Sequence, residues 1–314
     1  MYQPFTYKPL VKVAKIIFLL LVSAFIIYKL FFAFKINTLF KNYDLIENLG
    51  SWYCIVLVFV FMLLNWGLES IKWMRLIARF EDISFLTAVK AVVSGITFNI
   101  ITPNQMGDFA GRVIHLQTMN KWRGSLVTVI GHFAQIIVTL FFGLCAFAYF
   151  GERYLNITLW LPIGIVAIML LLYVYFHLHR MYQLIKHLPF IHKIEMYVNV
   201  FDRFSSRQLW QILLISFARY LVYVSQYYLL LQFFKVDIEF VPTIACIIGT
   251  FCVQSVVPSF LLLEIGVRGL SALAFFTLFS VNQEGILLAT YSLWMINILL
   301  PALLGMYFIY KVKS

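Results

Sequence analysis

Six stretches of this chain, residues 13–34, 51–71, 125–150, 159–176, 209–233 and 285–310, are apolar and long enough to cross a bilayer. A hydrocarbon core about 30 Å thick needs roughly 17–25 mainly apolar residues in one helix. At that depth no water satisfies the backbone, so irregular chain is tolerated only where it is buried in protein or lines a cavity. The remaining sequence leaves no room for a soluble domain. The longest polar stretch, residues 178–207, is too short for an independent core. With 63% hydrophobic and 12% charged residues, the charged share is about half that of soluble domains. Residues 1–314 therefore read as a single integral membrane domain. The first run is too long for a signal peptide and lacks a small-residue cleavage site, so it is expected as a retained helix.

The net charge of +11 follows topology rather than nucleic-acid binding, because most Lys and Arg lie in short loops. Lys8, Lys12 and Lys15 place the N-terminus in the cytoplasm, and Lys72, Arg75, Arg79, Lys121 and Arg123 mark further inside positions. The balanced loop Lys35, Lys41, Asp44 and Glu47 faces outside. Segment 84–120 thus begins and ends inside, yet is too short for two crossings and a turn. It is expected as a re-entrant hairpin with Pro103 near its tip. The second half repeats this upside down. Glu152 and Arg153 lie outside, Arg180, Lys186, Lys193, Arg203 and Arg207 inside, and Lys235, Asp237 and Glu239 outside again. The last helix runs from Glu284 to Lys311 and Lys313 inside, so segment 240–282 is a second hairpin broken around Pro258. The expected fold is an all-α polytopic membrane protein: six spanning helices plus two broken re-entrant hairpins. Its two pseudo-repeats, about 13–150 and 157–311, are inverted relative to each other.

Both interruptions carry charge where it is expensive, since Asp, Lys or Arg at a helix centre costs roughly 2.5–3.5 kcal/mol on insertion scales. The first reads Pro103, Asn104, Gly107, Asp108 and Arg112, and the second Pro258, Ser259, Glu264, Gly266 and Arg268. In each, an acid precedes an arginine by four positions, which places both on one helix face. These ten residues are the candidate substrate-binding site. Asn104 and Asp108 can cap the helix that follows, Arg112 presents a fork suited to phosphate, and Gly266 and Gly269 permit close backbone approach. Secondary candidates inside apolar runs are His132 with Gln135 and Arg219 with Gln226. Asn65 and Glu69 share a face of the second helix, where Glu69 can simply reach Lys72. Intramembrane charge marks pathways by default, although such pairs can also serve only to neutralise each other for insertion. Cys54, Cys145, Cys246 and Cys252 lack metal-ligand or disulfide spacing. Neither a catalytic motif nor a nucleotide loop is present, so no catalytic residue, metal or cofactor is expected and the chain does not read as an enzyme.

From about residue 51 onward the chain resembles the transmembrane, flippase-like domain of bacterial lysylphosphatidylglycerol synthases and its stand-alone relatives. A first family motif like P-x-x-x-G-[DE]-x-x-R is matched by Pro103, Gly107, Asp108 and, one position further on, Arg112. A second, like P-x(n)-G-x-G-x-R-E, is matched by Pro258, Gly266 and Arg268, and Lys72-Trp73 is similar to an Arg-Trp pair. Three departures bear on which headgroup is carried. Glu264 stands in place of glycine, Gly269 in place of glutamate, and Gly131-His132 in place of a Glu-Arg pair. The resemblance implies a lipid transporter in the bacterial cytoplasmic membrane, both termini cytoplasmic, moving an anionic or modified phospholipid or lipid-linked headgroup between leaflets. Arg112 and Arg268 would contact phosphate, with Asp108 and Glu264 orienting them or receiving protons. The 314 residues include no soluble aminoacyl-transferase domain, so lipid synthesis is not implied. The alternative is a non-catalytic accessory subunit that binds phospholipid and presents it to a lipid-modifying enzyme. A membrane-embedded transferase using Asp108 or Glu264 as base ranks last.

Overall fold

The structure, a computed structural model, describes residues 52–100, 106–151, 161–178, 199–257 and 263–312, with single positions elsewhere. Nearly all of run 13–34, the loop with Glu152 and Arg153, Lys186 and Lys193, and Pro103, Asn104, Pro258 and Ser259 lie outside the described residues. Every regular element described is helical. In chain order these are α1 (Tyr53–Ile77), α2 (Phe85–Asn99), α3 (Gly107–Val113), α4 (Lys121–Phe150), α5 (Leu161–Phe176), α6 (Ser206–Phe233), α7 (Phe240–Val256), α8 (Leu263–Phe276) and α9 (Gln283–Lys311).

Four of them, α1, α4, α6 and α9, are long and apolar enough to cross a membrane. They correspond to four of the six apolar runs. In run 159–176 the described residues form α5, 16 residues long, roughly 24 Å at 1.5 Å per residue. Segments 84–120 and 240–282 each form two short helices on either side of a break, α2–α3 and α7–α8. Helix starts fall where the sequence supplies an acceptor for orphan amides. Ser84 accepts from the Thr87 amide, Asn120 from Trp122 and Asn282 from Gly285, while Ser205 and Gln208 form a capping box at α6. Helix α9 loosens into a π-turn over Met295–Leu299. Pro301 explains it, because its ring cannot bond to the Asn297 carbonyl and crowds it.

Contacts at the helix ends sort the chain into two poles. At one, Arg79 donates to Gln208 at 3.1 Å and the Arg203 guanidinium lies 5.2 Å from the Phe80 ring. At the other, Trp52 packs edge-on against Phe233 at 5.8 Å, and Asn282 donates to the carbonyls of Phe234 and Lys235. Helices α1 and α6 are therefore antiparallel, and they share the most extensive packing in the molecule. Segment 84–120 leaves and rejoins the first pole, where Glu81 binds residues 117–119. Segment 240–282 leaves and rejoins the opposite pole. The halves also exchange partners: α2 of the first packs on α9 of the second, and α7 of the second on α4 of the first. Outward faces, including Val56, Leu63, Val166 and Leu170, are exposed and apolar.

Within the first hairpin α3 lies directly on α2. A Cβ on Gly111 would sit 2.5 Å from the Gly95 Cα and from the Ser94 carbonyl oxygen, a clash with backbone that no side chain can relieve. Gly111→Val should lower stability by roughly 1–3 kcal/mol, the usual cost of overpacking, read as a lower unfolding midpoint of the detergent-solubilised protein. An unchanged midpoint would show that α2 and α3 do not approach this closely.

The pole that holds both ends of this hairpin is pinned by Glu81. Partial burial raises its pKa, but the amides of Gln117, Thr118 and Met119 and the Thr118 hydroxyl all donate to it and bring it below the ordinary carboxyl value. A depressed folded value means that the clamp contributes fully above the unfolded value of 4.5 and is lost as pH falls through the folded one. Amide-exchange protection at residues 117–119 should therefore hold at neutral pH and fade only in acid below pH 4.5. Glu81→Ala should remove it at every pH.

Candidate functional site: an ion-pair chain between the two hairpins

Glu69 lies eight residues from the end of α1, about 12 Å inside it at 1.5 Å per residue, where a lone carboxylate would not stay ionised. Its carboxylate meets Lys72 Nζ at 2.7 Å, Arg112 Nη2 at 2.7 Å and Arg219 Nη1 at 2.8 Å. These cations come from α1 itself, from α3 in the first hairpin and from the middle of α6. Arg112 also closes on Asp108 one turn earlier, Nε to Oδ2 at 2.7 Å, with its guanidinium 5.4 Å from the Trp73 ring. The same Asp108 oxygen lies 2.7 Å from Nε2 of His132 on α4. Arg219 Nε donates to Asn65 Oδ1 at 2.7 Å and Nη1 to Gln135 Oε1 at 3.4 Å. Asn65 in turn donates to Asn297 Oδ1 at 3.1 Å, so the π-turn of α9 feeds a side chain into the cluster.

The second hairpin contributes its own pair. Arg268 Nη2 donates to Glu264 Oε1 at 2.9 Å, and Nη1 to Gln254 Oε1 at 3.4 Å. Gln254 is oriented by donating to Ser271 at 3.2 Å. Tyr223 stands one turn beyond Arg219 on α6, within electrostatic reach of both Arg219 and Arg268. Polar contacts therefore run from His132 through Asp108, Arg112 and Glu69 to Arg219, and Tyr223 stands in electrostatic reach of both that end and the separate Arg268–Glu264 pair. Exposure divides this chain. Glu69, Lys72, Asp108 and Arg112 have side chains between 2% and 6% exposed, against 30% for Arg219, 27% for His132 and 17% for Arg268.

Both acid–arginine pairs form at the spacing of four, and His132, Gln135 and Arg219 join the first of them. Other expectations are corrected. Asp108 caps nothing: α3 starts from Met106 without a side-chain cap, because the carboxylate is drawn to Arg112 and His132. Gln226 stands apart, donating instead to the Val58 carbonyl at 2.9 Å. At Gly266 an added Cβ would meet nothing within 4 Å, so no backbone approaches it, whereas at Gly269 it would strike the Tyr291 hydroxyl. Gly107 is required by the Phe98 backbone beside it, and its amide donates to Thr102 at 2.7 Å. Glu69 does reach Lys72, but its two arginine partners make it the hub. The signal was Arg219 at mid-helix, a charge that demands an acid at matching depth. Tyr223 and Asn297 carried no such signal. A cavity of about 650 Å³ lies elsewhere, lined by Tyr149, Asp237, Glu239 and Phe279 and by none of the cluster residues. Among the described residues, no group of three or more His, Cys, Asp and Glu is arranged to hold a metal ion.

Long apolar helices enclosing a desolvated chain of ion pairs define an integral membrane protein with a polar interior. The chain matches the family model described as the lysylphosphatidylglycerol synthase TM region over residues 14–305, and it belongs to that family. No curated protein matches it.

Removing one partner of a buried pair costs about 3–5 kcal/mol, because it strands the other charge. Glu69→Ala takes the carboxylate from Lys72 and Arg219 and leaves Arg112 with Asp108 alone, so it should be among the most destabilising single changes in the molecule. The double variant Glu69→Ala/Arg219→Ala should recover part of that loss in unfolding measurements. Strict additivity would show that the two side chains do not interact.

Proposed function

We propose that this chain is a membrane lipid transporter that carries an anionic or modified phospholipid headgroup between leaflets through its polar interior. The observation that carries the reading is the row of charged and polar side chains, from Arg112 and Glu69 to Arg219 and then Arg268, set between two hairpins that enter from opposite poles. A headgroup could be handed along it while the acyl tails remain among the exposed apolar faces of α1, α5 and α6. Helices α1–α4 and α5–α9 act as oppositely oriented repeats in this reading, with α2–α3 and α7–α8 as re-entrant elements. Alternate exposure of the two hairpins to either side moves the headgroup. The first pole faces the cytoplasm, as the loop charges require. Membership of a family defined on the membrane region of a phospholipid synthase supports a lipid as substrate. Intramembrane charge held by partners from several helices is the usual mark of a substrate path. No bond is made or broken in this scheme, and the protein acts as a carrier rather than an enzyme.

Liposomes reconstituted with the full chain and a fluorescent phosphatidylglycerol, quenched from outside by dithionite, test this directly. The expected result is a protein-dependent loss of the protected inner-leaflet signal, slowed about tenfold in Arg268→Gln. Folded wild-type protein that moves no lipid would overturn the transport reading and favour the accessory role.

A further inference from the structure

The main cluster is out of balance. It contains two carboxylates, Glu69 and Asp108, and three basic side chains, Lys72, Arg112 and Arg219. The remaining pair, Glu264 with Arg268, cancels internally. One positive charge is therefore uncompensated among the described residues, in surroundings where an unpaired ion is strongly penalised.

The geometry shows where that charge resides. Arg112 is enclosed by two carboxylates and the face of Trp73. Lys72 is sealed between Glu69 and the Gly131 carbonyl at 3.5 Å. Arg219 must share its Glu69 oxygen, Oε2, with Lys72, and its other partners, Asn65 and Gln135, are neutral amides. It is also the most open of the three, at 30% exposure. Beside it stand Tyr223, one turn away on the same helix, and Arg268, within electrostatic reach of Tyr223 and itself partly open.

We infer that Arg219, Tyr223 and Arg268 form the seat for a monoanionic phosphate ester, and that Arg112 is a positioning residue that holds Glu69 and Asp108 in place. The ester supplies the missing negative charge. Two guanidinium forks and a phenol hydroxyl match its oxygens in a way that point charges would not. The seat specifies the ligand class of the proposed lipid path, but its binding step does not depend on movement across the bilayer.

The test uses the full chain in neutral detergent, titrated separately with dihexanoyl phosphatidylglycerol and with inorganic phosphate. Calorimetry and the unfolding midpoint are the readouts. Wild type should bind the lipid saturably. Arg219→Gln should bind it at least tenfold more weakly, with a smaller fall in its ligand-free midpoint than Arg112→Gln, because the remaining two cations balance the two carboxylates. Arg219→Lys should recover part of the affinity. Arg112→Gln should lower the ligand-free midpoint more, the mark of a positioning role. Loss of lipid binding in Arg219→Gln with no phosphate binding in wild type assigns the seat to a headgroup. Phosphate binding that is likewise lost in the variant assigns it to the bare anion. Wild type that binds neither probe, or Arg219→Gln that binds like wild type, overturns the proposal. Liposome transport separates the two readings. Binding without movement removes transport and keeps the seat, whereas movement undiminished in Arg219→Gln removes the seat and keeps transport.

Discussion

A single carboxylate holds the interior of this protein together. Glu69 faces three cations at 2.7–2.8 Å, drawn from its own helix, from the first hairpin and from the second half of the chain. Each of those cations would be too costly to bury alone, since a charged group at the bilayer centre costs roughly 2.5–3.5 kcal/mol even on permissive scales. Their common partner makes the cost tolerable only when α1, α3 and α6 are all in place. Trp73 on the guanidinium of Arg112, and Asn65 and Gln135 on that of Arg219, complete the coordination. The cluster therefore helps to specify how the halves dock. In a molecule whose outer faces are apolar and interchangeable in lipid, such directional contacts distinguish one docking from another.

The two hairpins share a spacing but not an environment. Asp108 and Arg112 are packed between α1, α2 and α4, with Gly111 against Gly95 leaving no slack, and their side chains are 2% and 5% exposed. Glu264 and Arg268 sit on a helix whose Gly266 faces open space, and they are 28% and 17% exposed. An arginine shared by two carboxylates is already saturated. Arg268 holds one carboxylate and a neutral amide, and it is less enclosed. The same acid–arginine motif is thus a sealed anchor in one half and a partly open pair in the other.

The sequence revealed most of the architecture because the bilayer imposes it: runs at 51–71, 125–150, 209–233 and 285–310 had the length and purity of spanning helices, and they are α1, α4, α6 and α9. The positions of α2–α3 and α7–α8 followed from loop charge and from the lack of length for two crossings. The acid–arginine spacing gave both pairs, since neighbours four apart on a helix need no tertiary information. What could not be read were contacts across the fold. Nothing local to Glu69 distinguishes a partner of Lys72 from a hub of three cations, because Arg112 and Arg219 arrive from 43 and 150 positions away in the chain. Asn297 enters the cluster through a π-turn, a backbone detail created by Pro301. Tyr223 resembles any aromatic residue in an apolar helix until α8 sets Arg268 beside it.

Under the proposed function, the contact between Glu69 and Arg219 is also the obstacle to motion. It links α1 to α6, antiparallel counterparts from the two halves, at the interface along which rocking would occur. The gross Coulomb attraction of charges about 4 Å apart is about 4 kcal/mol at an effective dielectric near 20, and solvent at the partly open Arg219 screens part of it. Separating the pair without compensation would still disfavour the alternative arrangement, because it leaves charges unpaired. On that reading a phosphate ester arriving at Arg219 would supply a replacement anionic partner as Glu69 withdraws, and Glu69 would keep Lys72 and Arg112. The barrier would then fall chiefly with the ligand aboard. A carrier built on this exchange would couple its rearrangement to occupancy without any external energy source, moving its cargo down whatever gradient exists. The surplus positive charge of the empty cluster would then be the same feature that a bound phosphate neutralises and that lets the loaded carrier move.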